Sequence, residues 1–124
     1  MTLIEITFGR PTQVVPRQFE RSELCETIER AVATRLAVPL EDMRSASRGR
    51  ATVAFARQIA MYLAHVVMSL NYSETGRMFR RDRTTAAYAC RLIEDRRDHP
   101  ATDALLQSLE TALSSNIKTM GWRQ

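Results

Sequence analysis

No stretch of this 124-residue chain approaches the roughly 18 uninterrupted apolar residues of a membrane span. Met1-Thr2-Leu3-Ile4-Glu5 places an acid early and lacks the basic-then-apolar layout of a signal peptide. A cytoplasmic protein with no membrane partner is expected. There are only two cysteines, Cys25 and Cys90, and neither has a CxxC partner or histidine company. Both fall in apolar helical patterns and read as reduced core thiols. No H-E-x-x-H or paired-Cys motif suggests a metal, and no G-x-x-x-x-G-K-S/T loop is present to cradle the phosphates of a nucleotide. The two histidines, His65 and His99, lie on different elements with no nearby Ser, Cys or carboxylate arranged as a relay. These absences leave no catalytic residue, cofactor or metal ligand to name, and they argue against an enzyme. Repeats, low-complexity tracts and a heptad signal are missing as well.

Lysine is also scarce. Of 18 basic residues 17 are Arg, Lys118 being the exception. Arginine forks onto phosphate or guanine and lies flat in a minor groove, which lysine does less well. The formal net charge is +4, and its distribution is uneven. Residues 1–43 carry five Arg against seven acids, residues 44–83 eight Arg against two acids, and residues 84–124 five bases against five acids. The middle third therefore supplies the whole positive excess, a footprint expected of a nucleic-acid-binding segment. A 44% hydrophobic content over this length suits one globular domain with a core of its own.

Residues 1–20, with Pro11 and Pro16 around a Gln-Val-Val run, show no helical period and are expected to form a tail or arm. Ser22 is a fitting N-cap for a first helix, with Glu23 and Glu26 at the positive end of its dipole. Leu24, Cys25, Ile28, Ala31, Val32 and Leu36 share one face of it, and Pro39 stops it. Leu40-Glu41-Asp42-Met43 suggests a single turn. The basic, small-residue run Arg44 to Ala51 reads as a loop. A long second helix is predicted from about Thr52 to Leu70, with Ala56, Ile59, Ala60, Leu63, Val66, Val67 and Leu70 inward. Asn71 and Glu74 have capping-box spacing for a short third helix, with Met78 and Phe79 inward. Arg80-Arg81 makes the turn, and Asp82 caps a fourth helix that buries Ala86, Ala89, Cys90 and Ile93. Pro100 opens a last helix with a stripe of Ala101, Ala104, Leu105, Leu109 and Ala112. Residues 114–124 are expected to fray. The expected organisation is a tail over 1–20, a helical DNA-binding domain over 21–113 with its helix-turn-helix at about 71–97, and a C-terminal tail over 114–124.

Helix, tight turn and helix place Arg83, Thr84 and Thr85 at the exposed start of the fourth helix, where a helix-turn-helix meets base edges in the major groove. Free amides at that end favour a phosphate. Threonine meets a thymine methyl and donates a hydroxyl, and arginine grips guanine bidentately. The plainer reading of Thr84 and Thr85 is that their hydroxyls only help to cap the helix.

The ordered series Ala56-Arg57-Gln58, Glu74-Thr75-Gly76 with Phe79, Arg81-Asp82-Arg83-Thr84-Thr85, and Ala89-Cys90-Arg91-Leu92-Ile93 resembles the C-terminal DNA-binding domain of the bacterial replication initiator DnaA. The likeness is strongest from Ser47 to Ile93, extends faintly over about residues 21–113, and does not reach that family's ATPase module. The resemblance implies a compact all-α domain with a long central helix and a helix-turn-helix, of the DnaA C-terminal and Trp-repressor-like kind. It puts Asp82, Thr84 and Thr85, with Arg83, in the major groove. It puts the loop arginines Arg48 and Arg50 in the minor groove, and Arg57 and Gln58 near phosphate and base. Arg77, Arg80 and Arg81 are expected on phosphates from the charge pattern. His65 stands where the family often has a phosphate-contacting lysine. In three places the chain departs from the family pattern. Arg83 replaces the histidine after the aspartate, Arg80-Arg81 makes a turn one residue shorter than the glycine-containing one, and Gly49 aligns with the loop arginine.

The function expected is sequence-preferring binding of double-stranded DNA without nucleotide or ATPase activity, by a nucleoid-associated transcriptional regulator or modulator of replication initiation. The alternative is a protein-interaction adaptor that kept the fold and docks through Glu23, Glu26 and Glu29. No protein partner can be named from the sequence.

Overall fold

The longest apolar pattern of the chain becomes the spine of the structure. In the computed structural model, which describes residues 17–45 and 50–121, six helices follow one another: α1 (Arg17–Leu36), α2 (Leu40–Arg44), α3 (Ala51–Val67), α4 (Tyr72–Phe79), α5 (Arg83–Arg96) and α6 (Pro100–Thr119). Among the described residues there is no strand, so the all-α expectation holds. α3 touches α1, α2, α4, α5 and α6, most extensively α5 and α1. That is why it is buried almost all round, at Val53, Ala56, Ile59, Ala60, Met61, Tyr62, Leu63 and Ala64. Its Val66, expected inward, lies exposed. The helix ends at Val67, short of Leu70, because Ser69 turns into the left-handed region at φ 59°.

α1 starts at Arg17, five residues ahead of the Ser22 cap read from sequence. Leu24, Ile28 and Val32 face the core as expected, and Ala31 and Leu36 pack against it. The helix closes on a Schellman motif, with Ala37 at φ 56° and the Val38 amide donating to the Ala33 carbonyl at 2.9 Å.

α6 differs more. It buries Leu106, Leu109, Leu113 and Ile117, whereas Ala101, Ala104 and Ala112 face solvent. The larger side chains bury more apolar area per position, so they and not the alanines set the inward face. Ile117 is fully buried, so the helix runs on well into the segment expected as a frayed tail.

Two aromatics with no place in the α3 stripe are held by the α5–α6 corner. The Arg96 guanidinium lies 5.2 Å from the Phe55 ring centroid. Arg97 donates to the Tyr62 hydroxyl at 3.0 Å, to Asp103 at 2.6 Å and to Glu110 at 2.5 Å. Partial burial works against the Arg97 charge, but the bonds from Asp103, Glu110 and Tyr62 outweigh it and raise its pKa.

Cys25 and Cys90 are free thiols. Burial, and then the nearby Glu29, push Cys25 up to about 12; burial and Glu94 push Cys90 up to about 11. Such thiols are poor nucleophiles at neutral pH.

Thr75 of α4 is fully buried, and its hydroxyl has no hydrogen-bond partner. An unmet buried hydroxyl costs about 1–3 kcal/mol. Thr75→Val removes it at nearly constant shape and is expected to stabilise the fold by about 1 kcal/mol, a rise in Tm of about 5 °C. An unchanged or lower melting temperature would show that the hydroxyl is satisfied.

Candidate nucleic-acid interface

Every local device of the α4–turn–α5 unit is a capping interaction. The Asn71 side chain accepts from the Glu74 amide at 2.8 Å while the Glu74 carboxylate accepts from the Asn71 amide at 3.0 Å, a complete capping box. α4 then stops on a second Schellman motif. Arg80 stands at φ 61°, ψ 40°, and the Arg81 amide donates to the Gly76 carbonyl at 2.8 Å. The turn lies so close over α4 that a Cβ on Gly76 would sit 2.6 Å from the Arg81 carbonyl oxygen. Asp82 follows in extended conformation and accepts the Thr85 amide at 2.8 Å, which starts α5. That bond holds the Asp82 carboxyl below the usual carboxylate range.

Seated this way, α5 buries Ala86, Ala87, Ala89, Cys90 and Ile93. Ala86 and Ala89 pack with Met61 of α3 and Phe79 of α4 in a small cluster of their own, so small side chains let the helices approach closely. The opposite face is open. Arg83, Thr84 and Thr85 are all exposed at the first turn. Tyr88, one turn on from Thr84, is 57% exposed, and Arg91 lies exposed a turn further along the same face. Tyr88 and Arg91 thus extend the exposed face beyond the residues expected at the site, and their spacing of four and seven residues from Thr84 marks them in the sequence.

The other expected site residues divide into two groups. Arg50, Arg77, Arg80 and Arg83 are exposed, as is Arg91, and none of their side chains makes a hydrogen bond or ion pair among the described residues. Gln58 is half-buried in α3. Arg48 lies outside the described residues. Arg57 and Arg81, by contrast, are engaged. Arg57 Nε donates to the Met43 carbonyl at 3.0 Å, and its Nη2 donates to Asp42 at 2.7 Å and Ser45 at 3.0 Å. Burial, and then the neighbouring Arg81, lower its pKa. Arg81 Nη2 donates to the same Ser45 carbonyl at 3.2 Å. Both are expected on phosphates, and in the structure these donors meet the carbonyls at the end of α2. His65 is similarly occupied, its Nδ1 within 2.6 Å of the Leu70 carbonyl and its ring stacked on Tyr72 at 4.8 Å.

A cavity of about 530 Å³ opens between α1, α3 and the turn. It brings Arg44, Arg57, Arg80 and Arg81 to one place, with Glu26 and Glu29 of α1 on its wall. Both acids and one of the arginines are already in ion pairs. Arg44 pairs with Glu29 at 2.9 Å and Arg30 with Glu26 at 2.7 Å. Among the described residues no group of three or more His, Cys, Asp or Glu gathers as metal ligands, and no helix is long and apolar enough to cross a membrane.

Arg80 is a non-glycine residue in left-handed backbone, which costs about 1–2 kcal/mol. Arg80→Gly is expected to raise stability by about 1 kcal/mol while weakening binding to any duplex, because one free charge is lost. Equal affinity for Arg80→Gly and wild type would show that Arg80 lies off the interface.

A capped short helix, a tight turn and a second helix with its first turn open to solvent define a helix-turn-helix protein. The family described as bacterial dnaA protein helix-turn-helix matches residues 25–93, more than half of the chain, and the chain belongs to it. It therefore carries the DNA-binding domain of that family. It is 35% identical over 92 residues to chromosomal replication initiator protein DnaA 2 of Chlamydia trachomatis, covering 74% of this chain and 19% of that protein. It is 37% identical over 98 residues to the chromosomal replication initiator protein DnaA of Rickettsia akari, covering 76% and 21%. A crystal structure of a DNA replication initiation factor superposes with a TM-score of 0.71 at 31% identity, over 82% of this chain and 31% of that one. The chain spans about a fifth of the length of these curated relatives.

Proposed function

We propose that this chain is a sequence-preferring double-stranded DNA-binding protein, acting in the nucleoid without nucleotide to regulate transcription or to modulate replication initiation at the sites it occupies. The observation that carries this is the first turn of α5. Asp82 is spent on capping, the alanine face is buried, and Arg83, Thr84 and Thr85 are left exposed together. Those three residues, flanked by the remaining Asp82 oxygen, read the major groove. Arg50, with Arg48, takes the minor groove, and Arg77, Arg80 and Gln58 meet phosphates. Arg57 and Arg81 support these contacts from behind. The adaptor alternative is less well supported, because Glu26 and Glu29 are matched by Arg30 and Arg44 within the protein.

Selection of preferred sites from a random duplex library tests the reading. On the selected site Thr84→Ala is expected to cost about 1–3 kcal/mol, and little on random duplex. Equal losses on both would remove Thr84 from base reading. A wild-type protein that shifts no duplex at low salt would overturn the function itself.

A further inference from the structure

Three of the chain's six methionines, Met43, Met61 and Met78, line the cavity between α1, α3 and the turn. Its volume of about 530 Å³ falls in the range of small-molecule sites. Met43 and Met61 reach it from within the core, and Met78 is half-buried. Methionine is unbranched and adaptable, so such a wall reshapes around a guest. The charges on the same wall do not balance. Four guanidiniums, those of Arg44, Arg57, Arg80 and Arg81, stand against the carboxylates of Glu26 and Glu29. Glu29 is matched by Arg44, and Glu26 by Arg30, which is not part of the lining. That leaves no carboxylate of the wall for Arg80 and Arg81. Among the described residues the Arg81 guanidinium meets only the Ser45 carbonyl, and the Arg80 side chain has no partner. Burial lowers the Arg57 pKa, and the like charge of Arg81 lowers it by more than the Asp42 carboxylate offsets.

We propose that this cavity is a binding site for a small organic acid, its apolar body seated among Met43, Met61 and Met78 and its carboxylate or phosphate head held by Arg80 and Arg81. The two halves of the wall together define that class. A bare inorganic anion would leave the methionines without a partner, and an uncharged hydrophobe would leave the guanidiniums unmatched. Arginine suits such a head because its fork grips two oxygens at once. The site goes beyond the DNA-binding reading and does not depend on it. Arg80, placed on a duplex phosphate above, is open to this head whenever no duplex is bound.

Two fluorescent dyes test this on the full chain carrying methyl-labelled methionine: anilinonaphthalene sulfonate, and phenyl-naphthylamine, a matching aromatic body without the acid. The sulfonate is expected to bind saturably at one site, about tenfold tighter than the amine. Along its binding curve the methyl signals of Met43, Met61 and Met78 should move together, while the buried Met68 and the exposed Met120 stay in place. Arg80→Gln is expected to weaken the sulfonate about fivefold and leave the amine unchanged. The Arg80 side chain has no partner in the described protein, so the unchanged amine affinity also reports an intact fold. Naphthoate and naphthyl phosphate then compete with the sulfonate, and the stronger competitor tells a carboxylic acid from a phosphate monoester as the preferred class. The proposal is overturned if the two dyes bind equally, if neither acid displaces the sulfonate, or if Met120 moves in place of the cavity methionines. It is overturned as well if Arg80→Gln binds the sulfonate as wild type does. Displacement by a short DNA duplex but by neither acid would give these arginines to the nucleic-acid backbone alone, and would also overturn it.

Discussion

Raising salt from about 50 to about 200 mM is expected to weaken binding to duplex about 500-fold. The figure comes from the exposed guanidiniums that make no hydrogen bond or ion pair among the described residues, namely Arg50, Arg77, Arg80, Arg83 and Arg91. Each guanidinium brought onto the duplex, in a groove or against a phosphate, displaces close to one condensed counterion, so five give a slope of about −4.5 in log affinity against log salt. Arg57 and Arg81 are left out of that sum because donors of both are engaged with backbone carbonyls. A slope near −6 to −7 would mean that they turn to phosphate on binding. An affinity nearly flat in salt would remove the electrostatic part of the interface. Fluorescence anisotropy on one duplex across the salt range distinguishes the three outcomes.

Gly76→Ala is expected to destabilise the protein by about 2 kcal/mol or more, a fall in Tm of about 10 °C, and to lose selective binding with it. Two effects of opposite sign compete. Ala is the better helix former by about 1 kcal/mol, and Gly76 lies inside α4 with ordinary helical backbone. Against this, the new Cβ would meet the Arg81 oxygen at 2.6 Å and the Asp82 carbonyl at 3.1 Å. Both neighbours are backbone and neither has a rotamer to yield, so the turn must lift off α4. Lifting it moves Asp82, and with Asp82 the Thr85 amide that it caps. The clash should therefore exceed the propensity gain. Thermal unfolding followed by circular dichroism measures the balance, and a Gly76→Ala protein as stable as wild type would show slack in the turn.

Much of this architecture was legible in the chain because its instructions are local. The Asn71–Glu74 box and the Asp82 cap each join a side chain to an amide three residues away, and such spacing is visible in any sequence. The alanines of α5 and the stripes of α1 and α3 follow from helical period alone. Legibility fell where a helix meets several neighbours or where partners are distant. In α6 regular alanines suggest one inward face, whereas packing selects Leu106, Leu113 and Ile117 by size. Val66 has the right period for the core but lies exposed. Arg80-Arg81 is legible as the turn, yet its close approach is made possible by Gly76, a residue whose role appears only once Arg81 is folded over it.

The sequence by itself determined an all-α chain, the starts of α4, α5 and α6, its arginine-rich middle and an exposed Arg83-Thr84-Thr85 turn, since capping and periodicity are written into neighbouring residues. Only the tertiary structure decided which arginines keep their charge outward and which turn inward. Arg57 and Arg81 end on the carbonyls of Asp42, Met43 and Ser45. Every residue carries the same carbonyl, so no side-chain pattern can mark the acceptor, and only folding brings it within reach.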